Sequence, residues 1–306
     1  MKVLYAGSPE SSAKILNSLI KKGFEVVGVI SQPDKRSKRG KGKEASPVSK
    51  EAYKLEIPIF KPALLDDSFR KEIECLDFDF LLVSAYGKIL PDWLLKSPKI
   101  SAVNIHFSLL PKYRGASPIQ TAILNNDEIT GVSIMKMVKE MDEGPVYCFH
   151  EVEILSQESK MDLEEKLTSL CIKNIEEDLS NIFYQSIDPV DQNNFEASYC
   201  KKINKLSGKI EFIEEKTADI LQKHKAYIGW PGLYFEKNNL LIKVHELEEY
   251  KGGQEDLKEK SFRFISSGLL VKTIDSAIVI TYLQFPGKRI IPAVDAANSY
   301  AKFFEE

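Results

Sequence analysis

Short apolar runs alternate with helix-period segments through the first half of the chain. The run from Val3 to Ala6 ends at Gly7, and the Ser8-Pro9 pair that follows is typical of a helix start with Ser8 as N-cap. Ser46-Pro47 repeats this pattern and predicts a second helix start. Further runs with the character of strands occupy residues 26–30, 78–85, 102–106, 132–137 and 146–152. This alternation predicts an α/β fold with a Rossmann-like, doubly wound parallel sheet, whose ligands lie beyond the carboxyl ends of the strands.

The pattern changes after residue 187. Residues 188–204 are polar and carry a proline, and we interpret them as a linker. Beyond them, short β-rich runs separated by turn residues predict a small β-barrel or sandwich. The predicted domains are therefore 1–187 and 205–306, joined by the linker 188–204.

The composition excludes several classes of protein. Hydrophobic residues make up 43% of the 306 residues and charged residues 28%, which excludes a mainly disordered chain. The formal charge of −3 excludes a surface that is basic all over, but it leaves room for a local basic patch. No apolar run approaches the roughly 20 residues that cross a bilayer, and the N-terminal apolar stretch is too short for a secretory signal, so we expect a cytoplasmic protein without membrane contact.

The cysteines and glycine motifs exclude further kinds of site. The four cysteines are scattered and form no CxxC pair, which indicates free thiols in a reducing compartment. Cys148 and His150 share one face of a predicted strand, but two ordinary strand side chains are favoured over half a zinc site, because no second ligand pair follows. Neither GxGxxG nor GxxxxGK[ST] occurs, so dinucleotide and P-loop sites lose their main support.

Asn104 and His106 lie two residues apart at the carboxyl end of a predicted strand. Because strand side chains alternate, both point to the same side. An amide that stabilises an oxyanion beside an imidazole that moves a proton suits acyl transfer, and a capped strand end is the alternative. Asp142 lies in a turn between two predicted strands, where it either orients His106 or serves only as a turn residue.

The loop after His106 combines polar and apolar residues. Two leucines and a proline beside polar candidates suggest a partly apolar wall for a ligand, formed by Ser108, Leu109, Leu110 and Pro111. Arg114-Gly115, further along, is either an anion contact or merely a loop end.

The stretch that runs from NIHFSLLP through PKYRGASPIQTAILNNDEITGVSIMKMVKEMDEGPV resembles the folate-dependent formyltransferase family. That family transfers a formyl group from 10-formyltetrahydrofolate to an amine, so the resemblance implies this reaction and this co-substrate, with no metal. Asn104, His106 and Asp142 match the family's catalytic positions. The resemblance also implies that Ser108 to Pro111 contact folate and that Tyr86 and Gly87 line the pterin pocket.

Six cations lie within nine residues after the second predicted strand, namely Lys35, Arg36, Lys38, Arg39, Lys41 and Lys43. The alternatives are a solvated, mobile loop and a loop that holds phosphates at the carboxyl edge of the sheet. The segment SQPDKRSKRGKGKEASPV is similar to the loop of those family members that formylate methionyl-tRNA, a loop that enters the acceptor arm of initiator tRNA. Arg39 matches the key arginine of that loop.

The second half of the chain is similar to the family's C-terminal domain in ASYCKKINKLSGKIEF, YIGWPGLYF and LQFPGKRIIPAVDAANSY. This resemblance implies an OB-like β-barrel that contributes to tRNA binding. The expected partners are initiator methionyl-tRNA and 10-formyltetrahydrofolate, and the expected product is N-formylmethionyl-tRNA for translation initiation, made by a monomer. The alternatives are a formyltransferase for a nucleotide-sugar amine, a hydrolase that passes the formyl group to water, and a non-catalytic OB-type RNA-binding protein.

Overall fold

The computed structural model describes residues 1–36, 42–252 and 261–305. The chain divides into two compact units, of which the first comprises residues 1–118, 128–154 and 162–201 and the second comprises residues 119–127, 155–161 and 202–306. Most of the segment that was interpreted as a linker, residues 188–204, therefore belongs to the first unit. The domain bounds given by the sequence stay a prediction.

The strands of the first unit are β1 Lys2–Gly7, β2 Glu25–Ile30, β3 Lys35–Arg36, β4 Lys43–Glu44, β5 Ile59–Phe60, β6 Phe80–Ser84, β7 Ser101–His106, β8 Arg114–Gly115, β9 Ile129–Lys136, β10 Val146–Glu153 and β11 Tyr199–Cys200. The helices of this half of the chain are α1 Glu10–Lys21, α2 Pro47–Lys54, α3 Asp67–Ile73, α4 Asp92–Leu95, α5 Pro118–Leu124 and α6 Lys160–Phe183, with a 3-10 turn at Asn194–Glu196.

One mixed sheet has the strand order β10-β9-β7-β6-β1-β2-β5. The strands from β7 to β5 run parallel, as the sequence predicted. β9 runs antiparallel to both β7 and β10, so the prediction of a parallel sheet is wrong at this edge. For β10 the reason is the short connection 137–145, because a parallel neighbour needs a crossover of about a dozen residues or more.

Helices cover both faces of the parallel strands. Leu4 of β1 belongs to one buried cluster with Phe69 of α3 and Leu94 of α4. Tyr5 points to the opposite face, because strand side chains alternate, and its hydroxyl donates to the carbonyl of Ser12 in α1 at 2.8 Å. The near-continuous apolar sequence of these strands follows from burial on both faces.

The helix starts follow the predicted capping pattern in part. Ser46 caps α2 as predicted, since its Oγ accepts the Ser49 N–H at 3.0 Å and a proline follows it. The N-cap predicted for α1 is wrong, because Pro9 rather than Ser8 occupies that position. The Ser8 hydroxyl donates instead to the carbonyl of Tyr86, in the loop after β6, at 3.4 Å.

The second unit contains an antiparallel sheet and the greater part of α5. Its strands and further helices are α7 Thr217–Tyr227, β12 Leu233–Lys237, β13 Leu240–Glu249, β14 Phe262–Ile265, β15 Gly268–Lys272, β16 Ala277–Gln284, β17 Ile291–Pro292 and α8 Ala293–Glu305. The strand order is β12-β13-β16-β15-β14, with β17 paired to β16. Within the described residues the end strands β12 and β14 do not pair. The strands there form an antiparallel sheet, and the closure of the predicted OB-like barrel is not found.

An aromatic cluster and a capping carboxylate stabilise the second unit. The ring of Phe235 on β12 lies 5.1 Å from that of Phe212 and 6.4 Å from that of Phe304 on α8, measured between centroids. At the start of α7, the Thr217 N–H donates to Asp275 Oδ1 at 2.9 Å, and this bond is the main reason why the pKa of Asp275 is lowered. Across the described parts of both units, no helix is long and apolar enough to cross a membrane.

Candidate active site

Asn104 and His106 lie at the carboxyl end of β7, on the same side of the strand. The strand is buried between β6 and β9, so both side chains are almost inaccessible, with exposed fractions of 9% for Asn104 and 6% for His106. Polar side chains at such a position need partners, because an unpaired buried polar group costs about 1–3 kcal/mol.

Asp142, in the turn between β9 and β10, is the hydrogen-bond partner of Asn104. Its Oδ1 accepts the Asn104 Nδ2–H at 3.3 Å and its Oδ2 accepts the Gly115 N–H at 2.8 Å. The backbone of Asp142 has φ +55°, a left-handed conformation that aspartate adopts more readily than most residues. The turn is tight, since a Cβ at Gly144 would collide with the Lys136 carbonyl.

The hydrogen bonds of His106 define which ring nitrogen is free to take a proton. Nε2 lies 3.0 Å from the carbonyl oxygen of Tyr113, which only accepts, so the proton of the neutral ring is on Nε2. Nδ1 is then the basic atom, and it lies 3.8 Å from Oδ2 of Asp142. A proton taken up at Nδ1 is stabilised by the carboxylate beside it. The structure thus brings the three predicted side chains together.

The loop predicted to contact folate divides into an inward and an outward pair. Ser108 is fully buried and its hydroxyl donates to the Lys112 carbonyl at 2.6 Å, while Leu110 is buried against Met135 and Val146. Leu109 and Pro111 are partly exposed. Only this second pair has side-chain surface to offer a ligand.

Tyr86 and Gly87, predicted to line the pterin pocket, contribute in different ways. The Tyr86 ring lies in the buried core, where burial raises the pKa of its hydroxyl to about 12, and this hydroxyl has no hydrogen-bond partner among the described residues. The Tyr86 carbonyl accepts the Gln32 Nε2–H at 2.8 Å. Gly87 has φ +79°, and a Cβ there would lie 2.7 Å from Gln32 Nε2. Residues 86 and 87 therefore offer backbone groups, and not the tyrosine ring, to a ligand.

Arg114, which the sequence left undecided between an anion contact and a loop end, is buried and supports the Asp142 turn. Arg114 is only 1% exposed, and its Nε donates to Gln192 Oε1 at 2.9 Å. The amide nitrogen of Gln192 donates in turn to the carbonyls of Asp142 at 2.8 Å and Gly144 at 2.7 Å. Gln192 thus connects the arginine directly to the backbone that carries the carboxylate.

The segment after Gln192 completes the enclosure of Arg114. The guanidinium also donates to Asn194 Oδ1 at 2.8 Å and to the Tyr199 hydroxyl at 3.2 Å. β11 pairs with β8, and a Cβ at Gly115 would lie 2.6 Å from the Cys200 carbonyl, so glycine is required at this contact. A segment that was interpreted as a linker is therefore part of the wall behind the site.

Comparison with known proteins identifies the family. The model of a family described as "Formyl transferase" matches residues 1–176, and that of "Formyl transferase, C-terminal domain" matches residues 202–301. The chain belongs to the formyl transferase family. A relative named "Methionyl-tRNA formyltransferase" from Sulfurihydrogenibium sp. (strain YO3AOP1) is 36% identical over 303 residues, which cover 98% of this chain and 97% of that protein.

Solved structures agree with this family fold. HypX from Aquifex aeolicus, in complex with tetrahydrofolic acid, superposes with a TM-score of 0.68 at 16% identity and covers 99% of this chain and 47% of that chain. An N-formyltransferase from Helicobacter canadensis, in complex with folinic acid and dTDP-3-aminofucose, has a TM-score of 0.68 at 21% identity and covers 92% and 98% of the two chains. At these identities the likeness concerns the fold alone.

The basic loop of this formyl transferase is described only at its two ends. Lys35 and Arg36 form β3, which pairs antiparallel with β4, where Lys43 lies. The hairpin follows β2, whose carboxyl end is at the same edge of the sheet as His106. Lys35 and Lys43 are exposed. The other predicted tRNA contacts lie outside the described residues, namely Lys38, Arg39 and Lys41.

The sequence contained one signal for the residues that were missed. Tyr199 lies in the ASYCKKINKLSGKIEF stretch that resembles the family, although the polar composition around it favoured a linker. Nothing in the spacing of Arg114 and Gln192, which are far apart along the chain, indicated that their side chains meet.

Proposed function

We propose that this chain transfers the formyl group of 10-formyltetrahydrofolate to the α-amino group of methionyl initiator tRNA and so makes N-formylmethionyl-tRNA for translation initiation. The observation that carries the proposal is the convergence of Asn104, His106 and Asp142 at the carboxyl edge of the sheet. The substrate is supported by relatives of nearly the same length that are named methionyl-tRNA formyltransferase.

Asn104 stabilises the oxygen of the formyl group during attack. One N–H of its amide is held by Asp142 Oδ1, which fixes the plane of the amide and leaves the second N–H for the substrate. As the amine adds to the formyl carbon, negative charge develops on the oxygen. One donor fixed in advance at such an oxyanion is worth about 3 kcal/mol in the transition state.

His106 and Asp142 move the proton. The amine nitrogen forms a bond to the formyl carbon and loses a proton to Nδ1 of His106, directly or through water. The bond between that carbon and N10 of the folate then breaks, and N10 receives a proton, so the products are formylated tRNA and tetrahydrofolate. The carboxylate of Asp142, 3.8 Å from Nδ1, stabilises the charged ring between these two events.

Arg114 and Gln192 act as positioning residues in this proposal. The contacts described above bring neither side chain to the reacting atoms. Gln192 donates to the carbonyls of Asp142 and Gly144, and it is itself held by a buried guanidinium. Displacing a catalytic group by about 1 Å lowers the rate by about 100-fold. The fixed position of the Asp142 turn therefore offsets the free-energy cost of burying the Arg114 charge.

The two substrates are proposed to bind on different surfaces. The backbone at Tyr86 and Gly87 and the exposed sides of Leu109 and Pro111 form the folate contacts, and Ser108 and Leu110 support that loop from behind. The basic loop of residues 35–43 holds tRNA phosphates, with Arg39 as the main contact. An OB-like module in residues 205–306 adds to this binding, and domain 1–187, a Rossmann-like doubly wound unit, performs catalysis in a cytoplasmic monomer.

A label-transfer assay tests the function against its alternatives. The chain is incubated with 10-formyltetrahydrofolate labelled in the formyl carbon and with one acceptor at a time: methionyl initiator tRNA, the same tRNA uncharged, a dTDP-linked amino sugar, or water alone. We expect label on charged tRNA only. Label on the sugar nucleotide would identify a sugar formyltransferase, free formate a hydrolase, and tight tRNA binding without any turnover a non-catalytic protein. Each of these three results would overturn the proposal.

A further inference from the structure

Three side chains of the kinds that bind metal ions converge at the outer strand of the sheet. Cys148 and His150 share one face of β10, and α6 brings Asp178 against them. Asp178 Oδ1 lies 3.3 Å from Cys148 Sγ and 3.0 Å from His150 Nε2, and Sγ lies 4.0 Å from Nε2. The sequence offered the strand pair alone, and the fold adds the third group from a helix.

The environment of Asp178 calls for a positive charge. The residue is 5% exposed and lies on the apolar face of α6, next to Leu179 and one turn after Ile175. Within the part of the chain that the structure describes, its side chain makes hydrogen bonds only with this thiol and this imidazole, and no ion pair with a lysine or arginine. A buried carboxylate is strongly disfavoured unless a cation or several hydrogen-bond donors compensate it.

We propose that Cys148, His150 and Asp178 bind one thiophilic divalent cation, with Zn²⁺ as the representative ion and water as the fourth ligand. Zinc bonds of about 2.3 Å to sulfur and about 2.0–2.1 Å to nitrogen and oxygen place tetrahedral ligand atoms about 3.3–3.6 Å apart. The three observed separations, 3.0, 3.3 and 4.0 Å, lie on either side of that range. Side-chain shifts of a few tenths of an ångström are enough to close the shell.

The charges of the bound site balance. A thiolate, a carboxylate and a neutral imidazole bound through Nε2 together neutralise a doubly charged ion. Because only the thiolate of Cys148 coordinates the ion, binding releases the thiol proton to solvent. The ion then links β10 to α6. Because the site uses none of the residues assigned to formyl transfer, it is independent of the proposed function.

Cobalt absorption provides the test. Untagged, reduced, full-length protein is titrated with Co²⁺, which in a tetrahedral site with a thiolate gives sulfur-to-metal charge-transfer absorption and intense visible bands. We expect saturation at one equivalent, displacement by Zn²⁺, and a rise in melting temperature with Zn²⁺. Cys148→Ser should abolish the charge-transfer absorption. Asp178→Asn should weaken Co²⁺ binding at least about tenfold, because loss even of an outer-shell partner costs about 10–100-fold.

A matched cysteine variant completes the test. Cys75 is exposed and lies outside the cluster, so Cys75→Ser should bind Co²⁺ as the unchanged chain does. Because Cys148→Ser is nearly isosteric, circular dichroism should show that it is folded, and Asp178→Asn gives a second reading if it is not. The proposal is overturned if the unchanged chain gives no thiolate charge-transfer absorption, or if the absorption survives Cys148→Ser. In either case the cluster would be only a hydrogen-bonded histidine–aspartate pair with a neighbouring thiol.

Discussion

Gln192→Leu removes the connection between the buried arginine and the turn that carries Asp142, while it keeps the approximate size of the side chain. Three hydrogen bonds are lost, one from Arg114 Nε and two to the carbonyls of Asp142 and Gly144. At about 2 kcal/mol for the bond to a charged group and about 1 kcal/mol for each neutral bond, the loss is about 4 kcal/mol before relaxation.

Losing these hydrogen bonds should lower kcat more than it weakens substrate binding. The turn 141–145 is released at one end, and a shift of about 1 Å at Asp142 costs about 100-fold in rate. We therefore expect kcat to fall by about 10- to 100-fold, while KM for tRNA stays unchanged. Steady-state kinetics with saturating folate measures both constants, and thermal melting measures the accompanying loss of stability.

Two further variants separate positioning from general destabilisation. Gln157→Leu makes the same chemical change on an exposed loop and should leave kcat unchanged. Gln192→Glu retains an acceptor for Arg114 but loses both donors to the turn, so it should recover at most about half of the lost stability and little of the kcat. If Gln192→Leu melts at a lower temperature but keeps its kcat, Gln192 is a structural residue only, and the positioning argument is refuted.

The remaining predictions concern the basic loop and the second unit. Arg39→Ala should raise KM for tRNA without changing folate binding. It should also reduce the magnitude of the salt slope of tRNA affinity by about 0.7–0.9, the value for one phosphate contact, whereas Lys173→Ala on α6 should leave this slope unchanged. If Arg39→Ala and the unchanged chain give equal slopes, the loop does not contact tRNA phosphates. The Asp275 pKa is lowered in the folded state, so its carboxylate stabilises the fold above about pH 4 and this contribution is lost as pH falls further. Asp275→Asn should accordingly destabilise the second unit at pH 7 and much less near pH 3, as followed by Trp230 fluorescence in a Trp93→Phe background; the same loss at both pH values would contradict the assignment.

The local chemistry of the sequence predicted much of the fold. Apolar runs at β1, β6 and β7 identified strands buried on both faces, and Ser46 with the proline after it identified the start of α2. The prediction for Ser8 failed, because its hydroxyl bonds to a carbonyl from a distant strand connection. The antiparallel β9 was missed for a similar reason: strand direction depends on where the chain re-enters the sheet, which periodicity does not encode.

The site was predictable where its residues are close in sequence. The period of two fixed Asn104 and His106 on one side of β7, and the resemblance to the family added Asp142. The supporting residues were not predictable, because Arg114 and Gln192 are joined only through the fold. Polar composition also misled: Gln192, Asn194 and Tyr199 look like solvated linker residues, but they satisfy a buried guanidinium.

The most direct test of the central claim is a single-turnover measurement of formyl transfer with Asn104→Ala, His106→Ala, Asp142→Ala and the triple variant, each with saturating folate and charged tRNA. Residues that act on one carbonyl as a unit give non-additive losses. We predict that each single variant loses about 100-fold or more, and that the triple variant is about as slow as the slowest single one. Losses that multiply across the triple variant, or near-normal transfer by any single variant, would contradict the claim that these three side chains form one catalytic site.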